Sequence, residues 1–249
     1  SAGLRRTAPR VPTGFQRTTI CGVNGSVPYK NREISIIQLG LEEDSCREVS
    51  DIGHKRVYKA DRLGMPLIEL VTGPDMKTPN EVEEVANTLR KMMRTTNHVR
   101  RGAGATRADT NVSVEGGTRI EIKGVPRTSL MPLLTYNEAM RQYNLLRLRE
   151  ELKNRGITTE TFDSDSADVT RILKKTLFSP ISQGIKGGYV AHVVKLTGWA
   201  DLLRWETQSE TLFSRELSDR VRVIACLSNL PNIIHSDAPS ETLSGAEWR

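Results

Sequence analysis

Every second residue from Arg107 to Glu115 is polar or charged: Arg107, Asp109, Asn111, Ser113 and Glu115, with Val112 and Val114 on the opposite phase. After Gly116-Gly117 the alternation resumes, with Arg119, Glu121 and Lys123 on one side and Ile120 and Ile122 on the other. A period of two is that of a strand, so the stretch 104–123, GATRADTNVSVEGGTRIEIK, reads as a hairpin with a Gly-rich turn. A three-residue loop, 116–118, pairs odd positions with odd, for instance Ser113 with Glu121. A two-residue loop would pair Ser113 with Ile120 and mix the faces. One face is then apolar and the other gathers guanidinium, amine, carboxylate and amide groups. Such a face is either solvated surface or one wall of a polar site.

Other positions carry chemistry of their own. Glu42-Glu43-Asp44 closes a strand-like segment; three consecutive acids make either an oxygen-rich cluster of the kind that suits Mg²⁺ or a solvated acidic turn. Glu69 interrupts the apolar run Leu67-Ile68-Glu69-Leu70-Val71, and a carboxylate on a buried strand needs a cation or donors. Gly102 and Gly104 beside Arg100 and Arg101 would let backbone approach a phosphate, although no Walker pattern follows. His54, His98, His192 and His235 are scattered without zinc spacing, and His192, in an apolar strand, reads as structural. No nucleophile elbow, GxGxxG or Ser/His/Asp set is visible, so hydrolysis by a serine nucleophile has no support.

The elements that would position these groups alternate between strand and helix. Residues 15–23 read as a strand ending at an Asn24-Gly25 turn, and Ile34, Ile36 and Leu39 mark a second strand running into 41–45. A short strand 67–71 and a Gly73-Pro74-Asp75 turn follow. A helix starts at Thr78 to Glu81, with Thr78 or Asn80 as cap and Val82, Val85, Ala86, Leu89 and Met93 as its core face. Its basic end, Arg90, Lys91 and Arg94, suits the negative end of the helix dipole. After Pro126 a helix is expected from about Tyr136 to Arg155, with Gly156 as its C-cap glycine. The Asp/Ser-rich run 162–167 marks a boundary. Beyond it we expect a helix over 168–177, a strand over 189–196 and a helix over 213–225, in an α+β pattern.

Composition sets the outer bounds. The 249 residues suit one large or two ordinary domains, and a net charge of +6 permits a nucleic-acid or phosphate partner without requiring one. Cys21, Cys46 and Cys226 are odd in number, far apart and without metal spacing. They read as small core residues in a reducing compartment, and with no apolar run near the ~18 residues of a membrane span and no signal-peptide pattern the expectation is a soluble, cytoplasmic chain. Residues 1–12, with Arg5, Arg6 and Arg10, are a solvated segment or a basic arm. Ser1 in place of Met and a final SGAEWR that reads as mid-element lead us to expect a portion of a longer protein.

Taken in order, LEEDS at 41–45, RLGMPLIELVTGPD at 62–75, TRADTNVSV at 106–114, EIKG at 121–124 and YNEAMRQ at 136–142 resemble the GatB/GatE family of tRNA-dependent amidotransferases, over nearly the whole chain. TGFQRT at 13–18 and the later region look more like the GatE branch of that family. The resemblance implies a catalytic cradle domain of mixed or antiparallel sheet with helices across 1–163, lacking its N-terminal part. An incomplete insertion domain shared with bacterial aspartyl-tRNA synthetases (GAD-like) would follow across 164–249. KGGYVAHVVKLTGWADLL at 186–203, FSRELSDR at 213–220 and IIHSD at 233–237 are similar to that second domain.

The family's reaction converts Glu-tRNA(Gln) to Gln-tRNA(Gln). ATP and Mg²⁺ activate the glutamyl γ-carboxylate, and ammonia comes from an asparaginase-like partner protein (GatD) in a heterotetramer. On that resemblance Glu42, Glu43, Asp109 and Glu121 would hold Mg²⁺. Asn111 and Lys123 would bind the nucleotide, and Arg62, Arg107 and Lys123 would act on phosphate or the substrate carboxylate. The family's usual opening acid-and-histidine segment is absent from these residues, and Lys59-Ala60 and Gly73 depart from the GatB pattern. A noncatalytic tRNA-binding or assembly protein of the same fold therefore stands as an alternative; a GatB acting on Asp- or Glu-tRNA is a third reading, against which the synthetase-like insertion argues.

Overall fold

A computed structural model describes residues 16–102, 104–227, 233–238 and 242–248. The structure is α+β, with antiparallel strand pairs and four α-helices among the described residues. The chain divides into two compact units, Ser1–Leu89 and Arg90–Arg249. Residues 1–12, read as a possible basic arm, lie outside the described residues.

In the first unit β1 (Arg17–Tyr29) and β2 (Arg32–Glu43) form a long antiparallel pair, with Tyr29 opposite Arg32 across Lys30-Asn31. Lys30 supplies the left-handed backbone of that tight turn. Asn24-Gly25, expected to turn the chain, instead lies inside β1, where Gly25 pairs with Ile36 and only Asn24 is left-handed. The local signal was real, but the alternation of Val27 and Tyr29 against Ile34 and Ile36 carries the strand past it.

Those four side chains pack with Val85 and Leu89 of α1 (Pro79–Thr95) into a core. Thr78 caps that helix: its Oγ1 accepts the Glu81 N–H at 3.3 Å, while Glu81 Oε2 accepts the N–H groups of Thr78 at 3.3 Å and Lys77 at 2.7 Å. This reciprocal capping box resolves the choice between Thr78 and Asn80.

A separate exposed hairpin, β3 (Arg47–Ile52) with β4 (Lys55–Lys59), was not anticipated. β5 (Pro66–Thr72) joins the far side of β2 in the order β1-β2-β5. Glu69 sits there exposed, opposite Gly40, so the expectation of a buried carboxylate does not hold. The sheet is three strands wide and β5 is its edge, which leaves the acid in reach of water.

In the second unit the hairpin β6 (Ala108–Val112) and β7 (Ile120–Val125) precedes a 3₁₀ turn, Thr128–Leu130, and the long helix α2 (Met131–Asn154). The helix begins at Met131 rather than near Tyr136, because Pro132 falls in the first turn, where its missing N–H costs no hydrogen bond. At its end Ile157 N–H donates to Leu152 O at 2.9 Å and Gly156 N–H to Lys153 O at 2.8 Å. This is a Schellman closure around left-handed Gly156.

The Asp/Ser-rich run is half strand: β8 (Ser164–Asp168) pairs with β9 (His192–Leu196). No α-helix spans 168–177; a 3₁₀ turn, Ile172–Lys175, is followed by an unanticipated helix α3 (Ser179–Lys186). β10 (Glu206–Gln208), β11 (Thr211–Leu212) and α4 (Phe213–Ile224) complete the unit.

His192 lies exposed in β9 rather than within an apolar core. Of the three cysteines only Cys46 is buried; Cys21 and Cys226 are exposed. No helix among the described residues is long and apolar enough to cross a membrane.

Segments beyond residue 163 are fastened to α2 by polar bonds. Asn144 Nδ2 donates to Thr207 O and Trp205 Nε1 to Asn144 O, each at 3.1 Å. Arg155 Nη1 reaches the carbonyls of Gly198 at 3.0 Å and Ala200 at 2.7 Å. Arg141 grips Glu216 through two bonds of 2.6 and 2.7 Å, and Thr207 Oγ1, itself fully buried, donates to the same carboxylate at 3.0 Å. The hydrogen bonds to Glu216 raise the pKa of the already cationic Arg141.

Candidate functional site

The hairpin β6–β7 keeps the expected sidedness in a different register. Asn111 faces Glu121 and Val112 faces Ile120, so odd positions do pair with odd, but Ser113 does not meet Glu121. The connection covers 113–119 rather than 116–118, with Gly117 N–H bonded to Val114 O at 2.9 Å inside it. Thr110 and Val112 are buried, whereas Asp109, Asn111, Glu121 and Lys123 are exposed. The two-residue shift preserves the faces because side chains alternate with a period of two.

On that exposed face Lys123 Nζ lies 3.3 Å from Glu121 Oε2. A bulge between Ala108 and Thr110 turns Asp109 so that its Oδ1 accepts the Gly124 N–H at 2.6 Å. Arg107, exposed, enters the strand just ahead of it. The arrangement offers two carboxylates, a carboxamide and an amine along one side of a short ribbon.

What holds this ribbon is a residue that side-chain periodicity does not single out. Gln142 of α2 is 6% exposed. Its Oε1 accepts the Val114 N–H at 3.1 Å, and its Nε2 donates to Val112 O at 3.0 Å and to Glu138 Oε1 at 2.8 Å. The side chain thereby replaces the ladder bonds that β6 loses where it leaves β7. Gly117 makes room for it: a Cβ there would stand 2.8 Å from Gln142 Oε1 and 3.2 Å from Val114 O. Glu138, Arg141 and Gln142 of the YNEAMRQ motif thus have structural partners, and the helical spacing of two acceptor-rich residues, 138 and 142, was the available clue.

In the first unit the acidic run splits by environment. Glu42 accepts the Thr18 hydroxyl at 3.1 Å and Glu43 is exposed. Asp44, left out of the expected metal set, is 6% exposed and holds Arg62 at 2.8 Å while its Oδ1 accepts the Ser45 N–H at 2.9 Å. Gly64 N–H donates to Asp44 O and Asp44 N–H to Met65 O, so the loop carrying Arg62 is stitched to the end of β2. Arg62, expected to meet phosphate or substrate, is ion-paired within its own unit.

Glu42, Glu43 and Arg62 therefore belong to the first unit; Arg107, Asp109, Asn111, Glu121 and Lys123 belong to the second. Among the described residues no three His, Cys, Asp or Glu side chains gather into a metal-holding group.

Residues 6–214 match the model of the GatB/GatE catalytic domain. The chain is 39% identical over 225 residues to the GatE protein, a glutamyl-tRNA(Gln) amidotransferase component, of Caldivirga maquilingensis, covering 90% of this chain and 36% of that protein. It is 40% identical over 228 residues to GatE of Saccharolobus solfataricus (90% and 35%) and 38% identical over 228 residues to that of Sulfolobus acidocaldarius (90% and 36%). The chain thus spans about a third of the length of these relatives. It belongs to the GatB/GatE catalytic domain family.

Proposed function

We propose that this member of the GatB/GatE family is a portion of a Glu-tRNA(Gln) amidotransferase component whose β6–β7 face forms one wall of a Mg²⁺–ATP site. The single observation that carries the reading is the side-by-side exposure of Asp109, Asn111, Glu121 and Lys123 on that ribbon. The donor set fits the group. Mg²⁺ takes oxygen ligands, commonly one or two carboxylates completed by substrate phosphates and water, and this face supplies two carboxylates and an amide oxygen with no competing thiolate or imidazole. When bound, Mg²⁺–ATP supplies the phosphoryl group that activates the glutamyl carboxylate.

The roles of the chain's own residues follow from their chemistry. Asp109 and Glu121 hold the cation. Asn111 orients the nucleotide, and Lys123 neutralises phosphate as a point charge. Arg107 is suited to bidentate contact with phosphate or carboxylate. Residues 164–249 act as a GAD-like insertion that positions tRNA. An asparaginase-like protein, GatD, delivers ammonia in a heterotetrameric assembly.

Asp109→Asn keeps an oxygen to accept the Gly124 amide, so it removes charge without removing the turn. In the full-length protein this change, and Glu121→Gln, should lower ATP-dependent activation of Glu-tRNA(Gln) by about 10²-fold. Unchanged activation in both variants rejects the metal assignment. Absence of Mg²⁺-dependent ATP binding by the full-length protein favours the noncatalytic tRNA-binding reading instead.

A further inference from the structure

Between Glu84 and Asp109 the chain carries no acid, yet it carries Arg90, Lys91, Arg94, Arg100, Arg101 and Arg107. The end of α1 and the loop after it fold part of this run into a cleft of about 590 Å³ lined by Lys91, Arg94, Thr95, Asn97 and Arg101. Asn97, in a left-handed conformation, reverses the chain, and its Oδ1 accepts Arg101 Nη2 at 2.9 Å, which brings that guanidinium back beside the helix end. The Nε of Arg94 is shielded from solvent and has no hydrogen-bond partner among the described residues.

A helix C-terminus presents only about half a negative charge, which one cation satisfies. Lys91, Arg94 and Arg101 converge on the same cleft, and none of the three has a carboxylate partner within salt-bridge distance in the ion pairs of the described residues. Three cations beside a hydroxyl and a carboxamide are the side-chain set that contacts nucleic-acid phosphates.

We propose that this cleft is a docking surface for the phosphate backbone of RNA. The inference rests on the tRNA-dependent reading above and assigns that partner to a place outside the β6–β7 face. The charges hold the RNA in register without reading its bases, so the contribution to affinity is strongly salt-dependent.

The test is filter binding of an uncharged tRNA(Gln) transcript to the chain across a salt series. The variant K91Q/R94Q/R101Q should reduce the slope of log affinity against log salt by about 2 to 3 and weaken binding about tenfold or more near 0.1 M salt. K55Q, removing an exposed lysine of β4 in the first unit, should match the wild type. The single variant K91Q, expected to lower the slope by about 1, decides the matter if the triple variant does not fold.

No tRNA binding by the wild type, or an unchanged slope in the variants, overturns the proposal. So does a loss of phosphatidylserine-vesicle binding with tRNA binding intact. A lower slope in K91Q/R94Q/R101Q alongside absent ATP-dependent activation in the full-length protein would retain the surface and reject the catalytic reading; an unchanged slope with activation present would do the reverse.

Discussion

Gln142 shows how one amide can govern a site it does not belong to. Its removal leaves the buried Val112 O and the half-buried Val114 N–H without their partner, and an orphaned buried group costs about 1–3 kcal/mol. Gln142→Ala should therefore destabilise the chain by roughly 2 kcal/mol in urea unfolding and speed hydrogen exchange at the Val114 amide. Gly117→Ala should also destabilise it, since its Cβ would press on both Gln142 and backbone. At this scale the sequence was half legible. Parity told which residues share a face, because it depends only on neighbours in the strand. The partners of Gln142 lie 28 and 30 positions away on the backbone, where no side-chain pattern records them.

Among the elements, α1 is the most clearly written. Thr78 and Glu81 at capping-box spacing and Val85 and Leu89 on one face were all visible in the sequence, and Thr78→Ala should cost about 1 kcal/mol of stability in thermal or urea unfolding. The same end of the unit is tuned by acids. Asp75 is held below its ordinary range by the Ser35 hydroxyl and amide, Glu81 by the Lys77 amide and then Arg32, and Glu84 by Lys30 and Tyr29. Groups with depressed folded pKa values add stability that is fully present above their ordinary pKa, near 3.8 for Asp and 4.5 for Glu, and that disappears as pH falls through the lowered values. Hydrogen-exchange protection in β2 should thus hold steady from neutrality to about pH 5 and decline below about pH 4.

The misread element, 168–177, has a local cause. Asp168 Oδ1 accepts the Thr170 N–H at 2.8 Å, a side-chain turn that competes with helix, and Leu177, the expected last residue of that helix, is 98% exposed.

For the whole molecule, the change of style near residue 163 is plain in the sequence, but Trp205, Thr207 and Glu216 bond directly to α2, and Gly198 and Ala200 to Arg155 at its end. Arg141→Met keeps the aliphatic stem and strands Glu216 beside Thr207. It should destabilise the second unit by up to about 3 kcal/mol, seen as earlier unfolding by tryptophan fluorescence, since Trp199, Trp205 and Trp248 all lie there. Long-range attachments of this kind come from single polar residues whose partners the sequence does not mark.

The clamp on the hairpin has a kinetic side as well. Two registers, differing by two residues, present the same face, and the β6–β7 strands alone distinguish them weakly. In the folded chain it is Gln142 of α2, bonded to Val112 and Val114, that fixes the ribbon's alignment. Folding of the second unit should therefore be paced by helix docking, with the hairpin sliding until it is caught.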